Sequence, residues 1–201
     1  MRFLGPILGV ALLLAGSAAS EAADGKGEFA VIGPGVRSCA EFRGLVDSKA
    51  RDALLYVGWF QGYISRANLI QADTYSVLPV VDANAAATLL YRVCANNPSV
   101  SVERAADSLI GLLKPMAVSS QSEIVKITDG DRTLELWQAT LVLLQQQLKT
   151  LGYYKGEADG LFGTATRAAL VSFQKAKGLP ESGLPDIETL AAFLKILAGE
   201  G

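Results

Sequence analysis

Between residues 144 and 194 one phrase of the chain is written twice, 23 positions apart. The first copy runs Gly160-Leu161, Thr166, Ala168, Ala169 and Leu170; the second runs Gly183-Leu184, Thr189, Ala191, Ala192 and Phe193. Glycine opens each copy because a residue without Cβ enters left-handed backbone at no steric penalty. The apolar residues that follow, three and four apart, spell one face of a short helix. Such a segment is expected to fold as turn, helix, turn, helix. Thr166 and Thr189 hold equivalent places, which predicts a local hydrogen bond to the backbone for both. Thr164, just after Gly163, is expected to cap the first of the two helices.

Around the first copy stand Leu144-Gln145, Leu148, Leu151-Gly152-Tyr153-Tyr154, Asp159-Gly160, Phe162-Gly163, Thr166-Arg167, Phe173-Gln174 and Gly178-Leu179. In this register the stretch resembles the peptidoglycan-binding domains, small three-helix modules appended to many bacterial wall enzymes. The resemblance implies such a domain over residues 133–198, with peptidoglycan as its partner. Sugar hydroxyls, amides and stem-peptide carboxylates call for amide partners, a cation and an aromatic surface. Tyr153, Tyr154, Asp159, Phe162, Arg167 and Gln174 are the candidate contacts. Arg167 suits a stem carboxylate, and Tyr154 offers a stacking face. The repeated residues are read as determinants of the fold, and the unrepeated Tyr153, Tyr154, Arg167 and Gln174 as the better contact candidates.

Upstream, Leu134, Trp137, Leu141, Leu144, Leu148 and Leu151 recur at alternating spacings of three and four, which predicts one helix of about five turns. Its early turns, with Trp137, are expected to pack on the preceding domain. Residues 117–132, rich in Ser, Gln and Asp, read as a linker. Its apolar patch of Ile124, Val125 and Ile127 suits either a short strand or a stretch lying against a domain.

From Cys39 to Leu113 the apolar spacing is helical. Phe42 with Leu45-Val46 marks a first helix. Leu54, Val57, Gln61, Ile64 and Asn68, with Tyr56, Phe60, Tyr63, Ala67 and Ile70, mark a second that is apolar most of the way round, as in a helix surrounded by others. Gly58 and Gly62, four apart, point to close helix packing. Asp82 and Ser101 are expected to cap a third and a fourth helix, with Asn96-Asn97-Pro98 breaking the chain between them and Pro115 ending the bundle. Cys39 and Cys94 are the only cysteines, and in an oxidising compartment they are expected to form one disulfide. The fold class expected is all-α: a disulfide-closed helical bundle over residues 36–116, then the three-helix module.

Met1-Arg2, the apolar run Phe3 to Ala15 and the small residues Ser17 to Ala23 read as a signal peptide, followed by a flexible leader over residues 24–35. Ser17 stands where a lipoprotein signal needs Cys. The expectation is a protein of the periplasm with no lasting membrane anchor. The net charge of −2 and the lack of any basic block exclude nucleic acid as a partner.

The chain has no histidine, which removes the usual zinc ligands and the usual base of serine and cysteine acyl transfer. No metal site and no cofactor are expected. A carboxylate glycosidase of peptidoglycan needs no histidine, but none of the first domain's acids sits in an acid-base constellation; Glu41 and Glu103 are the two whose replacement would test for one. Cys39, Trp59 with Gly62-Tyr63, and Cys94 followed by Asn97-Pro98 and Ala105-Ala106 resemble small periplasmic single-disulfide helical proteins, the acid-stress chaperones among them. The reading is a non-catalytic envelope protein that binds peptidoglycan and brings its N-terminal domain, with an envelope protein as that domain's partner, to the wall. A chaperone or hydrolase inhibitor and a glycosidase are the alternatives.

Overall fold

The computed structural model describes residue 24 and residues 29–199. The expected signal segment, 1–23, lies outside the described residues. The chain divides into Met1–Ala30 and a compact unit, Val31–Gly201. Among the described residues, every helix and strand belongs to the second of these.

Four helices build its N-terminal lobe: α1 (Cys39–Asp47), α2 (Ala53–Ile70), α3 (Ala83–Asn96) and α4 (Val102–Leu113). Side-chain caps start three of them, because the first amide N–H groups of a helix have no partner within it. Ser38 Oγ accepts from Glu41 N–H at 3.2 Å, Asp82 Oδ1 from Ala85 N–H at 2.7 Å, and Ser101 Oγ from Arg104 N–H at 3.2 Å. The Cys39–Cys94 disulfide ties the start of α1 to the end of α3. Both cysteines are buried in the same core as Phe42, Phe60, Leu90, Val102 and Ala106, and Phe42 stacks on Tyr56 at 5.4 Å.

The expected leader already carries secondary structure before residue 36. Trp59 covers a 3₁₀ turn, Gly33–Val36, and its Nε1 donates to the carbonyl of Ile32 at 2.8 Å. A Cβ on Gly35 would fall 2.1 Å from the indole ring, so only glycine lets the turn lie this close.

α2 departs from the expectation of a surrounded helix. One edge, with Tyr56, Phe60, Ile64 and Ala67, is buried, while Leu54, Leu55, Leu69 and Ile70 are 71%, 64%, 80% and 58% exposed. Gly58 and Gly62 lie on the exposed side, and a Cβ on either would meet nothing within 4 Å. Close packing is therefore not their reason for being there.

The fold is mostly helical but not strictly all-α. An antiparallel pair, β1 (Ile124–Asp129) and β2 (Arg132–Trp137), closes on a turn at Gly130-Asp131. The stretch read as a linker thus carries a strand. The helix expected from Leu134 begins only at Gln138, as α5 (Gln138–Thr150). Leu134 and Leu136 obey the two-residue period of a strand as well as they fit a helix, and backbone pairing decides for the strand. Val81 N–H donates to Glu135 O at 3.0 Å, and Leu136 is 1% exposed.

This hairpin joins the lobes. Trp137 Nε1 donates to Leu78 O at 3.0 Å, its ring meets Tyr75 edge-on at 5.3 Å, and Thr140 Oγ1 donates to Pro79 O at 2.9 Å. Trp137 thus packs on the first lobe as expected, but from the end of a strand. The C-terminal lobe is completed by α6 (Thr164–Ala176) and α7 (Ile187–Leu197). Its centre holds Leu141, Leu144, Leu148, Leu170, Phe173 and Phe193, with Phe173 and Phe193 stacked at 4.2 Å.

Candidate functional site

Each of the two repeated glycine turns is held by one buried glutamine. Gln145 Oε1 accepts from Gly160 N–H at 2.7 Å, while its Nε2 lies 3.0 Å from Leu161 O, 3.1 Å from Thr166 Oγ1 and 3.1 Å from Asp159 Oδ1. Gln174 repeats the arrangement. Its Oε1 accepts from Gly183 N–H at 2.8 Å, and its Nε2 lies 2.9 Å from Leu184 O, 2.8 Å from Thr189 Oγ1 and 3.0 Å from Ser182 Oγ. Both glutamines are 0% exposed. The partners fix each amide's orientation, since a backbone N–H requires the oxygen and a carbonyl requires the NH₂.

The glycines adopt φ of +74° at Gly160 and +63° at Gly183, the left-handed region. A Cβ on Gly160 would lie 2.5 Å from Gln138 Cγ and 3.0 Å from the Gln138 carbonyl oxygen. Thr166 makes the expected local bond to the backbone, its Oγ1 donating to Leu161 O at 3.3 Å, whereas Thr189 Oγ1 donates to a side chain, Asp186 Oδ1, at 2.7 Å. Thr164 does not cap α6; the N-cap position is Gly163, with no side-chain bond.

The six residues expected at the ligand divide by burial. Gln174 is interior, with both polar atoms occupied, so it holds a turn rather than meeting a ligand. Tyr154 is also turned inward: it is 8% exposed, its hydroxyl donates to Glu157 O at 3.0 Å, and a Cβ on Gly156 would sit 2.5 Å from that hydroxyl. Tyr153 is half-buried, edge-on to Phe173 at 5.9 Å. Asp159, Phe162 and Arg167 remain at or near the surface. The Arg167 guanidinium lies over the Phe162 ring at 5.3 Å and pairs with Asp129 of β1 at 3.3 Å. Leu161, beside them, is 61% exposed, an apolar neighbour that nothing in the sequence pattern singles out as a contact.

Asp159 Oδ1 accepts from Leu161 N–H at 2.9 Å. That bond, and then the one from Gln145, hold its carboxyl below the ordinary carboxylate range. In the other lobe the two acids considered for glycosidase chemistry are taken up by tyrosines: Tyr56 Oη donates to Glu41 at 2.9 Å and Tyr63 Oη to Glu103 at 3.3 Å. Burial, then the bond to Glu41, push the Tyr56 hydroxyl up to about 12. Burial, then the charges of Asp107 and Glu103, raise Tyr63 as well. Among the described residues there is no group of three or more acidic or cysteine side chains that could hold a metal, and no helix long and apolar enough to cross a membrane.

The chain is 44% identical over 52 residues to the localization factor PodJL of Caulobacter vibrioides, a match covering 26% of this chain and 5% of that protein. It is 35% identical over 83 residues to a spore cortex-lytic enzyme of Bacillus cereus, covering 41% and 29%. With the N-acetylmuramoyl-L-alanine amidase CwlM of Mycobacterium tuberculosis it shares 42% identity over 67 residues, covering 30% and 16%. The chain therefore spans less than a third of each of these relatives. No solved structure matches it. Residues 138–193, from the start of α5 to Phe193 and so including both glutamine-held turns, match the family described as "Putative peptidoglycan binding domain".

Proposed function

We propose that this chain is a non-catalytic protein of the cell envelope that binds peptidoglycan through residues 138–193 and holds its disulfide-closed helical lobe at the wall. The observation that carries the reading is the family match over residues 138–193, the segment that contains both glutamine-held turns. The surface beside the first turn offers what the polymer needs: exposed Leu161 for apolar contact, the Phe162 ring for stacking, and Arg167 for carboxylate. The absence of histidine and the engagement of Glu41 and Glu103 by tyrosines favour binding over hydrolysis. Secretion and the periplasm belong to the same proposal, resting on the character of residues 1–23.

The test is co-sedimentation of the mature chain with purified sacculi, beside the double variant Phe162→Ala/Arg167→Ala. The wild type is expected to pellet, the variant to pellet less, and no soluble sugar or peptide to appear. Failure of the wild type to pellet overturns wall binding, and release of fragments overturns the non-catalytic reading.

A further inference from the structure

A second feature crosses both lobes. Between α3 and α7 lies a cleft of about 460 Å³, with Arg92 contributed by the disulfide-closed lobe and Lys177, Lys195 and Glu188 by the C-terminal lobe. Three cations thus face one carboxylate, in a chain whose net charge is −2. Glu188 is occupied by Arg92. Among the described residues, neither Lys177 nor Lys195 has an ion-pair partner. Each lysine lies at a helix C-terminus, Lys177 following α6 and Lys195 in the last turn of α7, where a cation is favoured by the helix dipole. That preference does not explain why both ends converge on an arginine from the other lobe.

The lining beneath the charges is apolar. Leu179 and Ile196 are half-buried there, with Ala191 and Ala192 between them. These alanines are the second copy of Ala168-Ala169, and the copies part company here: Ala169 is 3% exposed, whereas Ala192 is half-buried and lines the cleft. Short side chains at this point keep the cleft open. The volume lies within the range of small-molecule sites, about 300–1,000 Å³.

From this combination we propose that the α3–α7 cleft binds a short peptide carrying two or more free carboxylates, of the kind that peptidoglycan stems present. The ammonium groups of Lys177 and Lys195 take one carboxylate. Arg92, which offers five donors in a planar fork, takes another while keeping a contact with Glu188. Alanine-sized methyl groups of the peptide lie on Ala191, Ala192 and Ile196. The inference rests on the wall-binding reading for the source of the peptide, and it adds a site to which the first lobe contributes a residue.

The probe is the soluble tripeptide L-alanyl-γ-D-glutamyl-diaminopimelate, titrated calorimetrically into the whole mature chain. Amidation of its carboxylates, or the double variant Lys177→Gln/Lys195→Gln, is expected to weaken binding roughly tenfold, the combined effect of two charge contacts near a surface. Both lysines are exposed, so the variant should keep the wild-type circular dichroism and melting temperature. No binding by the wild type, or equal binding by the variant or by the amidated peptide, overturns the cleft. Sacculus pelleting separates the two ideas. A chain that pellets but ignores the tripeptide leaves wall binding standing without this site, whereas one that binds the tripeptide but does not pellet keeps the site and loses the wall.

Discussion

Gln145 and Gln174 are structural counterparts: each directs its side-chain oxygen at the amide of a left-handed glycine and its NH₂ at the carbonyl of the leucine that comes next. Replacing Gln174 with Leu leaves the Gly183 N–H and the Leu184 carbonyl buried without partners, and each such group costs about 1–3 kcal/mol. Gln174→Leu should therefore lower stability by about 3 kcal/mol, and Gln145→Leu by a similar amount. Urea denaturation read by circular dichroism measures both.

The glycines of the chain fall into two kinds that the same substitution separates. Gly160→Ala meets left-handed strain and the Gln138 carbonyl oxygen at 3.0 Å, and should destabilise by more than about 1 kcal/mol. Gly58→Ala and Gly62→Ala meet open space in the middle of α2, and each should raise stability by about 0.5–1 kcal/mol. Thermal melts of the three single variants should move in these opposite directions.

Asp159 gives the first turn a dependence on acidity. Its folded pKa is lowered by the Leu161 amide and then by Gln145, so the stability it contributes is fully present above the ordinary carboxylate pKa, about 3.9. That contribution is lost as pH falls through the lowered folded value. Asp159→Asn, which cannot ionise, should be less stable than wild type near neutrality, and the gap should narrow in strong acid. Denaturation midpoints of the two proteins along a pH series provide the check.

Reduction of the Cys39–Cys94 bridge frees a loop with a sequence separation of 55. The chain-entropy relation puts its effect at about 4 kcal/mol. Wild type under reducing conditions and Cys39→Ala/Cys94→Ala should unfold at similar, much lower denaturant concentrations than the oxidised protein.

How much of the fold is legible in the sequence depends on how local the determining contacts are. The caps at Asp82 and Ser101 bond to amides three residues away, and the helices after them are legible for that reason. The glutamine clasps are not. Gln145 precedes its glycine by 15 residues and Gln174 by nine, so a constant 23-residue period aligns the glycines and threonines but separates the glutamines. That offset makes Gln174 look like an unrepeated surface residue, although the apolar-Gln pairs Leu144-Gln145 and Phe173-Gln174 hold the clue. Leu134 and Trp137 mislead because their spacing satisfies helix and strand together, and their strand partners, Ile127 and Ile124 of β1, lie in a stretch that reads as a linker. Of the candidate surface, Arg167 is readable from its place one step past the repeated Thr166. Its partner Asp129 is not, because the strand that presents it has the composition of a linker.

The hairpin between the lobes also governs orientation. A chain strung on a loose tether would let its leading domain swivel, but here strand β2 bonds to Val81 and Trp137 to Leu78 before α5 begins. Whatever grips the C-terminal lobe also fixes the heading of α2 and of its outward-facing Leu54, Leu55 and Leu69. The joint sets a direction as well as a distance.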